Sequence, residues 1–256
     1  MISIVNQDSW FLCPNSRPDA ELRIFCLPFA GAGASMYREW HNVFPGNIEV
    51  RAVQLPGRES RLREPRISDA GVLVKKLVAA LHPYLDRPFA LLGYSIGALL
   101  AFEVVRELRR QGMSLPFHLF VAAMRAPHVP AVHPPIAHLP DDKFIDQIND
   151  YYQPSDEAWK IPELRDIIIP VLRDDIMIAE SYEYADEPPL PCPIDAYVGA
   201  VDRGTPVDSA AAWQDQTSAE FELTIFPDGH FFLRKQLCDL QEKMRISMLS
   251  FIGGRR

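Results

Sequence analysis

The 256-residue chain has no uncharged apolar run long enough to cross a bilayer. Its first twenty residues hold no basic region followed by an apolar core, so no secretory signal is expected. Cysteine is scarce and scattered: Cys13, Cys26, Cys192 and Cys238 show no C-x-x-C spacing, which fits neither a zinc site nor a disulfide framework. Basic residues do not predominate either. With 26 Lys and Arg against 34 Asp and Glu the formal net charge is -8, and a chain without a basic footprint is not built around nucleic acid. Internal repeats and low-complexity tracts are absent. A cytoplasmic, water-soluble monomer is expected. Its 48% hydrophobic residues suffice to bury the core of one α/β domain with a single insertion.

What is present is organised around Phe89 to Phe102 (FALLGYSIGALLAF). An apolar run too short for a helix reaches G-x-S-x-G at Gly93, Ser95 and Gly97. It passes directly into Ala98, Leu99, Ala101, Phe102, Val104 and Val105, which recur at helical spacing. This predicts a strand, a sharp turn and a helix, the setting of a nucleophile elbow, in which a strained backbone lifts the serine hydroxyl clear of the sheet. Glycine at 93 and 97 suits a strand and helix packed too closely for side chains. The plain alternative is an ordinary Gly/Ser turn, and the flanking strand and helix argue against it.

Residues 1–22 are polar and carry Pro14 and Pro18, so they read as an irregular, loosely attached leader. Strands are predicted at Arg23–Leu27, Glu49–Leu55, Leu119–Ala123, Pro193–Val198 and Phe221–Phe226. Helices are predicted at Ser35–Phe44, at Ser68–Tyr84 with Val72, Leu73, Leu77, Val78 and Leu81 on one face, at Ser209–Gln216, and from Leu233 to Ile252. The helix after the elbow should stop at Gln111-Gly112 on a left-handed glycine. Between residues 127 and 192 the alternation breaks. Several prolines are followed by two or three short apolar helices, with a break at Pro170. The expected organisation is therefore a core of residues 23–126 and 193–256 and a helical insertion at 127–192. This insertion reads as a lid whose apolar helices line an acyl channel, although any such helix also packs on the core.

Two loops carry possible chemistry. Pro28 to Ala34 is a Gly/Ala loop straight after a strand, which lets backbone N–H groups approach a phosphate or an oxyanion. It lacks the lysine and hydroxyl of a P-loop. In a hydrolase it would supply one oxyanion donor, from Phe29 or Ala30, with the second from Ile96. The other loop, Pro56 to Arg66, is dense in arginine. It is either a solvated loop whose arginines pair with Glu59 and Glu64, or a basic surface that meets an acidic partner or a phosphate.

Serine needs a base beside it, and the base needs an acceptor to hold its tautomer. In α/β-hydrolases these parts follow in the order Ser, Asp or Glu, His. Ser95 follows one strand, Asp202 a later one, and His230 sits in the turn after the last, all at carboxyl ends where such sheets place sites. The rival acids are Asp208, Asp195, which lies inside a strand, and Asp228, which is too close to His230 in sequence. His41, His82, His118, His128, His133 and His138 read as surface or satisfied core residues. The fold expected is an α/β-hydrolase: a mostly parallel central sheet flanked by helices, with a helical lid insertion. The reaction needs no metal or organic cofactor.

As a set, the motifs resemble the type II thioesterases that accompany nonribosomal peptide synthetases and modular polyketide synthases. They are LPFAGAGA at 27–34, QLPGRE at 54–59, LGYSIGA at 92–98, HLPDDKF at 138–144 and DGHFFL at 228–233. The likeness spans nearly the whole chain from Arg23 onward. It implies a triad of Ser95, Asp202 and His230 that hydrolyses acyl, aminoacyl or peptidyl thioesters on the phosphopantetheine arm of carrier proteins, removing aberrant or stalled groups. Two positions depart from the family pattern. Tyr94 and Ile96 stand where many relatives have histidine and methionine, and the acid motif GAVDRG lacks a doubled acid. Because carrier proteins are typically acidic, the resemblance also implies Arg58, Arg61 and Arg63 as docking candidates. Three alternatives stay open: a carboxylester hydrolase or lipase with the same triad, a catalytically silent hydrolase-fold binding protein, and a chain-terminating thioesterase domain, which the chain's self-contained length disfavours.

Overall fold

The computed structural model describes residues 7–154, 159 and 161–254; residues 1–6 of the leader and 155–158 and 160 of the insertion lie outside them. Seven strands form one sheet: β1 (Phe11–Leu12), β2 (Leu22–Leu27), β3 (Ile48–Val53), β4 (Phe89–Tyr94), β5 (His118–Ala122), β6 (Ile194–Gly199) and β7 (Phe221–Phe226). Their order is β1-β3-β2-β4-β5-β6-β7; only β1 runs antiparallel to its neighbour. Strands β2, β4, β5 and β6 are buried at every residue, so apart from Arg23, His118 and Asp195 they read in the sequence as apolar runs rather than alternating ones.

Helices α1 (Ala70–Leu81) and α2 (Ile96–Arg110) pack on one face of the sheet. Asp69 caps α1 by accepting the Val72 N–H at 2.7 Å. Leu73, Val74, Leu77, Val78 and Leu81 are buried, whereas Val72, assigned to that face from sequence, is exposed. Helix α2 ends at Gly112, whose φ of +65° is the left-handed cap expected there. On the other face, the last helix offers Leu240, Met244, Met248 and Ile252 to Tyr37, Trp40 and the strands. Between β5 and β6 lie α3 (Asp141–Tyr152) and α4 (Pro162–Glu180). Their apolar faces close a small core of their own, with Phe144, Ile148, Tyr151, Ile169, Leu172 and Ile176. A five-residue α5 (Val207–Ala211) and the last helix, α6 (Leu237–Gly253), complete the set. Among the described residues no helix is long and apolar enough to cross a membrane.

Two expectations are corrected. The described part of the leader is not loosely attached. Trp10 and Phe11 are buried, β1 pairs Phe11 with Val53, and the Arg17 guanidinium donates to the carbonyls of His41, Phe44, Pro45 and Ile48. Nor does Pro170 break the insertion, since α4 runs through it. Proline removes one N–H from the helical ladder, and burial of its neighbours Ile169 and Val171 holds the two halves in line.

The leader and sheet share a cluster of charge at Glu49, which is fully buried and accepts from Arg23 Nε and Arg51 Nε, each at 2.7 Å, and from the Arg17 N–H at 2.9 Å. Burial opposes its ionisation, but the hydrogen bonds from Arg51, Arg17 and Arg23 outweigh it and hold the carboxyl down to about 2. A pKa lowered on folding contributes stability above the unfolded value near 4.5 that is lost as pH falls through 2. Glu49→Gln should therefore lower stability by roughly 3 kcal/mol at pH 6. The gap in Tm between it and wild type should narrow as pH drops from 4.5 towards 2; a gap independent of pH would refute the ionised state.

Candidate active site

Strand β4 delivers Ser95 into a strained positive-φ conformation, φ 53° and ψ −124°, before α2 begins. The turn tolerates no side chain on its flanks. A Cβ at Gly93 would lie 2.2 Å from the Gly97 carbonyl oxygen, and one at Gly97 would lie 2.4 Å from that of Leu27. Strand β6 leads into Asp202, and the turn after β7 carries His230.

The structure brings these three side chains together. His230 Nδ1 lies 2.8 Å from Asp202 Oδ2, and Nε2 lies 3.1 Å from Ser95 Oγ. Asp202 and His230 are both buried. The second carboxylate oxygen, Oδ1, accepts the N–H groups of Gly204 at 2.9 Å and Thr205 at 3.1 Å, so both acceptors of the buried carboxylate are occupied. Its rivals are engaged elsewhere. Asp195 meets His118 at 2.9 Å, near the opposite end of β6. Asp228 accepts its neighbour Gly229 N–H and pairs with Lys235, and Asp208 is exposed on α5.

Phe29 and Ala30 line the same cavity as Ser95, and Ile96 follows the serine at the start of α2. In the loop after β2, the Gly31 N–H donates to Asp175 Oδ2 and the Ala32 N–H to the Phe29 carbonyl. On the elbow side the Ser95 and Ala98 amides are also engaged, by Ala122 and Ser95 carbonyls. Phe29 and Ala30 are among the loop amides not engaged in this way, and on the other side Ile96 starts α2, where a helix has no internal acceptors for its first amides.

Two aromatic residues that no sequence motif marks as functional pack against the histidine. The Tyr94 hydroxyl donates to the His230 carbonyl at 2.5 Å and its ring packs edge-on to Phe29, tying the histidine turn to the elbow. Burial pushes that hydroxyl's pKa up, so it remains a donor. Tyr152, from α3, lays its ring 4.7 Å from His230 and fills the space a side chain at Gly204 would take. Its hydroxyl is likewise raised by burial, to about 12.

Two cavities meet at Ser95, His230 and Tyr152. One, about 250 Å³, is lined by apolar groups including Phe29, Ile148, Ile168, Leu172, Ile176 and Phe231. The other, about 400 Å³, holds polar groups, among them Arg125, His128, His133, Glu180, Tyr182 and Tyr184.

The arginine loop requires a correction, because Arg58 and Arg61 are only 6% exposed and are not available to dock a partner. Arg58 makes a bidentate pair with Asp175 of α4, at 2.5 and 2.8 Å. Arg61 donates to the Gln54 carbonyl and to Glu64 and stacks 3.9 Å over Trp10. Further along, Arg66 pairs with Asp174 of α4. The acidic surface this loop meets is the protein's own insertion helix; Arg63 alone of the three candidates is exposed.

A parallel sheet whose strand ends present an elbow serine, a turn histidine and a buried aspartate is the arrangement of an α/β-hydrolase. Comparison narrows the class. The thioesterase domain family model matches residues 22–245. The gramicidin S biosynthesis protein GrsT of Aneurinibacillus migulanus is 38% identical over 243 residues, covering 95% of this chain and 94% of that protein. The RedJ thioesterase from the prodiginine pathway of Streptomyces coelicolor superposes with a TM-score of 0.81 at 34% identity, covering 89% of this chain and 88% of that one. The type II thioesterase BorB from the borrelidin biosynthetic cluster gives 0.84 at 31%, covering 93% and 96%. The chain belongs to the thioesterase family. Within it, the chain is a hydrolase of the type II group associated with nonribosomal peptide and polyketide pathways, as its motifs implied.

Proposed function

We propose that this enzyme removes acyl, aminoacyl or peptidyl groups from the phosphopantetheine arm of carrier proteins, with Ser95 as nucleophile, His230 as general base and Asp202 as its orienting acid. The observation that carries this reading is the hydrogen-bonded Asp202–His230–Ser95 series, its acid and base buried, at the junction of an apolar and a polar cavity. Ser95 Oγ attacks the thioester carbonyl carbon while His230 Nε2 takes its proton. The oxyanion is held by the amides of Phe29 and Ile96, each worth roughly 3 kcal/mol in comparable sites. Collapse expels the thiol, which regains its proton from His230. Water then attacks the acyl-enzyme with His230 again as base, releasing the acid and restoring Ser95. The acyl group occupies the apolar cavity, and the amide-rich arm lies along the polar one. Residues 127–192 act as the lid over both, and the enzyme works as a monomer.

One acyl group presented three ways tests this: on a phosphopantetheinylated carrier protein, on N-acetylcysteamine, and as an ethyl ester. The carrier-bound thioester should give the highest kcat/KM. A faster ester would favour the carboxylester hydrolase instead. In the same assay Arg63→Ala, the remaining exposed candidate, should raise KM severalfold for the carrier-bound substrate alone; an equal change for the small thioester would remove Arg63 from docking.

A further inference from the structure

The Arg58–Asp175 pair is buried, joins two segments 117 residues apart, and touches the one loop whose backbone must be placed most accurately. Asp175 is 1% exposed and sits in the second half of α4. Its Oδ2 accepts the Gly31 N–H at 2.8 Å as well as Arg58 Nη1, and Arg58 Nη1 also donates to the Ala32 carbonyl at 3.1 Å. Consecutive residues of the loop after β2 are thus gripped by opposite ends of one ion pair, one through its amide and one through its carbonyl. Leu172, one turn earlier on α4, lies against Gly31, where an added Cβ would touch its Cδ1 at 3.4 Å. Gly31 itself holds a φ of +79°, and Phe29 lies only two residues before it.

We propose that Asp175 is a positioning residue for the oxyanion hole: with Arg58 it fixes the loop bearing the Phe29 amide, so the second half of the insertion helix and the hole form one unit. The inference rests on the proposed function, in which Ser95 is the nucleophile and the Phe29 and Ile96 amides are the oxyanion donors. A buried ion pair is poor value for stability alone, because desolvating both charges offsets their attraction. It does fix geometry, since a bidentate pair with a third hydrogen bond admits one arrangement of the groups it joins. Oxyanion stabilisation depends on such preorganisation, and a small displacement of a donor reduces it.

The test uses the whole enzyme, an octanoyl-pantetheine thioester, and an octyl trifluoromethyl ketone. Ser95 Oγ adds to the ketone carbon, the carbonyl electron pair moves to oxygen, and His230 takes the serine proton. The product is an oxyanion held in the same hole. Asp175→Ala should lower kcat about tenfold to a hundredfold with KM within threefold, and weaken ketone binding by the same factor. Asp175→Asn keeps an acceptor for Gly31 but loses the charge facing Arg58, and should fall in between. The pH profile of kcat/KM should keep its shape in both, since the triad is untouched. Arg66→Ala, which breaks the partly exposed pair with Asp174, should leave kcat unchanged. If Asp175→Ala does not fold, Asp175→Asn carries the test. Wild-type kcat and ketone affinity in Asp175→Asn, or a loss of kcat without any loss of ketone affinity, would overturn the proposal. Failure of the underlying reading looks different, since activity would then survive Ser95→Ala.

Discussion

Ser95→Ala should lower kcat for thioester hydrolysis by about 10⁵- to 10⁶-fold while leaving the fold intact, the size of effect seen when a serine hydrolase loses its nucleophile. Among the described residues no other side chain is placed to substitute. Cys26 is fully buried in β2, and burial pushes its thiol far above the range in which it would ionise. Tyr94 and Tyr152 are held protonated by burial and engaged in packing around His230. What remains in the variant is the oxyanion donors and the positioned histidine, enough for a small residual rate over water. Backbone strain adds a second readout. Because Ser95 sits at φ 53°, Ser95→Gly should match the alanine variant in lost activity yet raise stability by about 1 kcal/mol. Steady-state hydrolysis and thermal unfolding of both variants check this. Retention of more than a thousandth of wild-type kcat in Ser95→Ala would remove Ser95 as the nucleophile.

How much of this site could be read from the sequence followed from how local each signal is. The elbow is entirely local: Gly93, Ser95 and Gly97 are forced by the approach of β4, α2 and the end of β2, and every residue needed to see the turn lies within a dozen positions. Asp202 and His230 were legible from chain order, because a parallel sheet places successive strand ends on one side. The arginine loop failed for the opposite reason. Charge on an acidic chain pointed outward to an acidic partner, but the carboxylates that meet it, Asp174 and Asp175, arrive from more than a hundred residues away on a helix whose register no local pattern specifies. Pro170 misled in the same way, since the packing that carries α4 through it is tertiary. The leader's attachment depends on Arg17 reaching four carbonyls between His41 and the first residue of β3, which composition does not report. Tyr94 was visible only as a departure from relatives; its bond to the His230 carbonyl gives that departure a physical meaning.

Asp202→Asn should reduce kcat by about 10⁴-fold, more than an equally isosteric change at a purely structural carboxylate would. The reason lies in the hydrogen bonds of this particular aspartate. Its Oδ1 accepts two backbone N–H groups, from Gly204 and Thr205. An asparagine in this place can meet both donors only with its carbonyl oxygen, because the alternative turns an NH₂ group onto two N–H groups in a buried site. With the oxygen so committed, the NH₂ must face His230 Nδ1, 2.8 Å away in the wild type. The imidazole then accepts at Nδ1 and carries its proton on Nε2, which points that N–H at Ser95 Oγ instead of a lone pair. The base is thereby converted into a donor without moving an atom by more than a few tenths of an ångström. Asp202→Ala frees the Gly204 and Thr205 amides from any acceptor and should cost more stability than Asp202→Asn, yet no more activity. Asp228→Asn and Asp208→Asn, in groups that face Lys235 and solvent, should stay within threefold of wild type. Steady-state kinetics of the four variants at pH 8, with melting temperatures alongside, decide between the acids. A loss of 10³-fold or more in Asp228→Asn with Asp202→Asn near wild type would transfer the orienting role to the turn before the histidine.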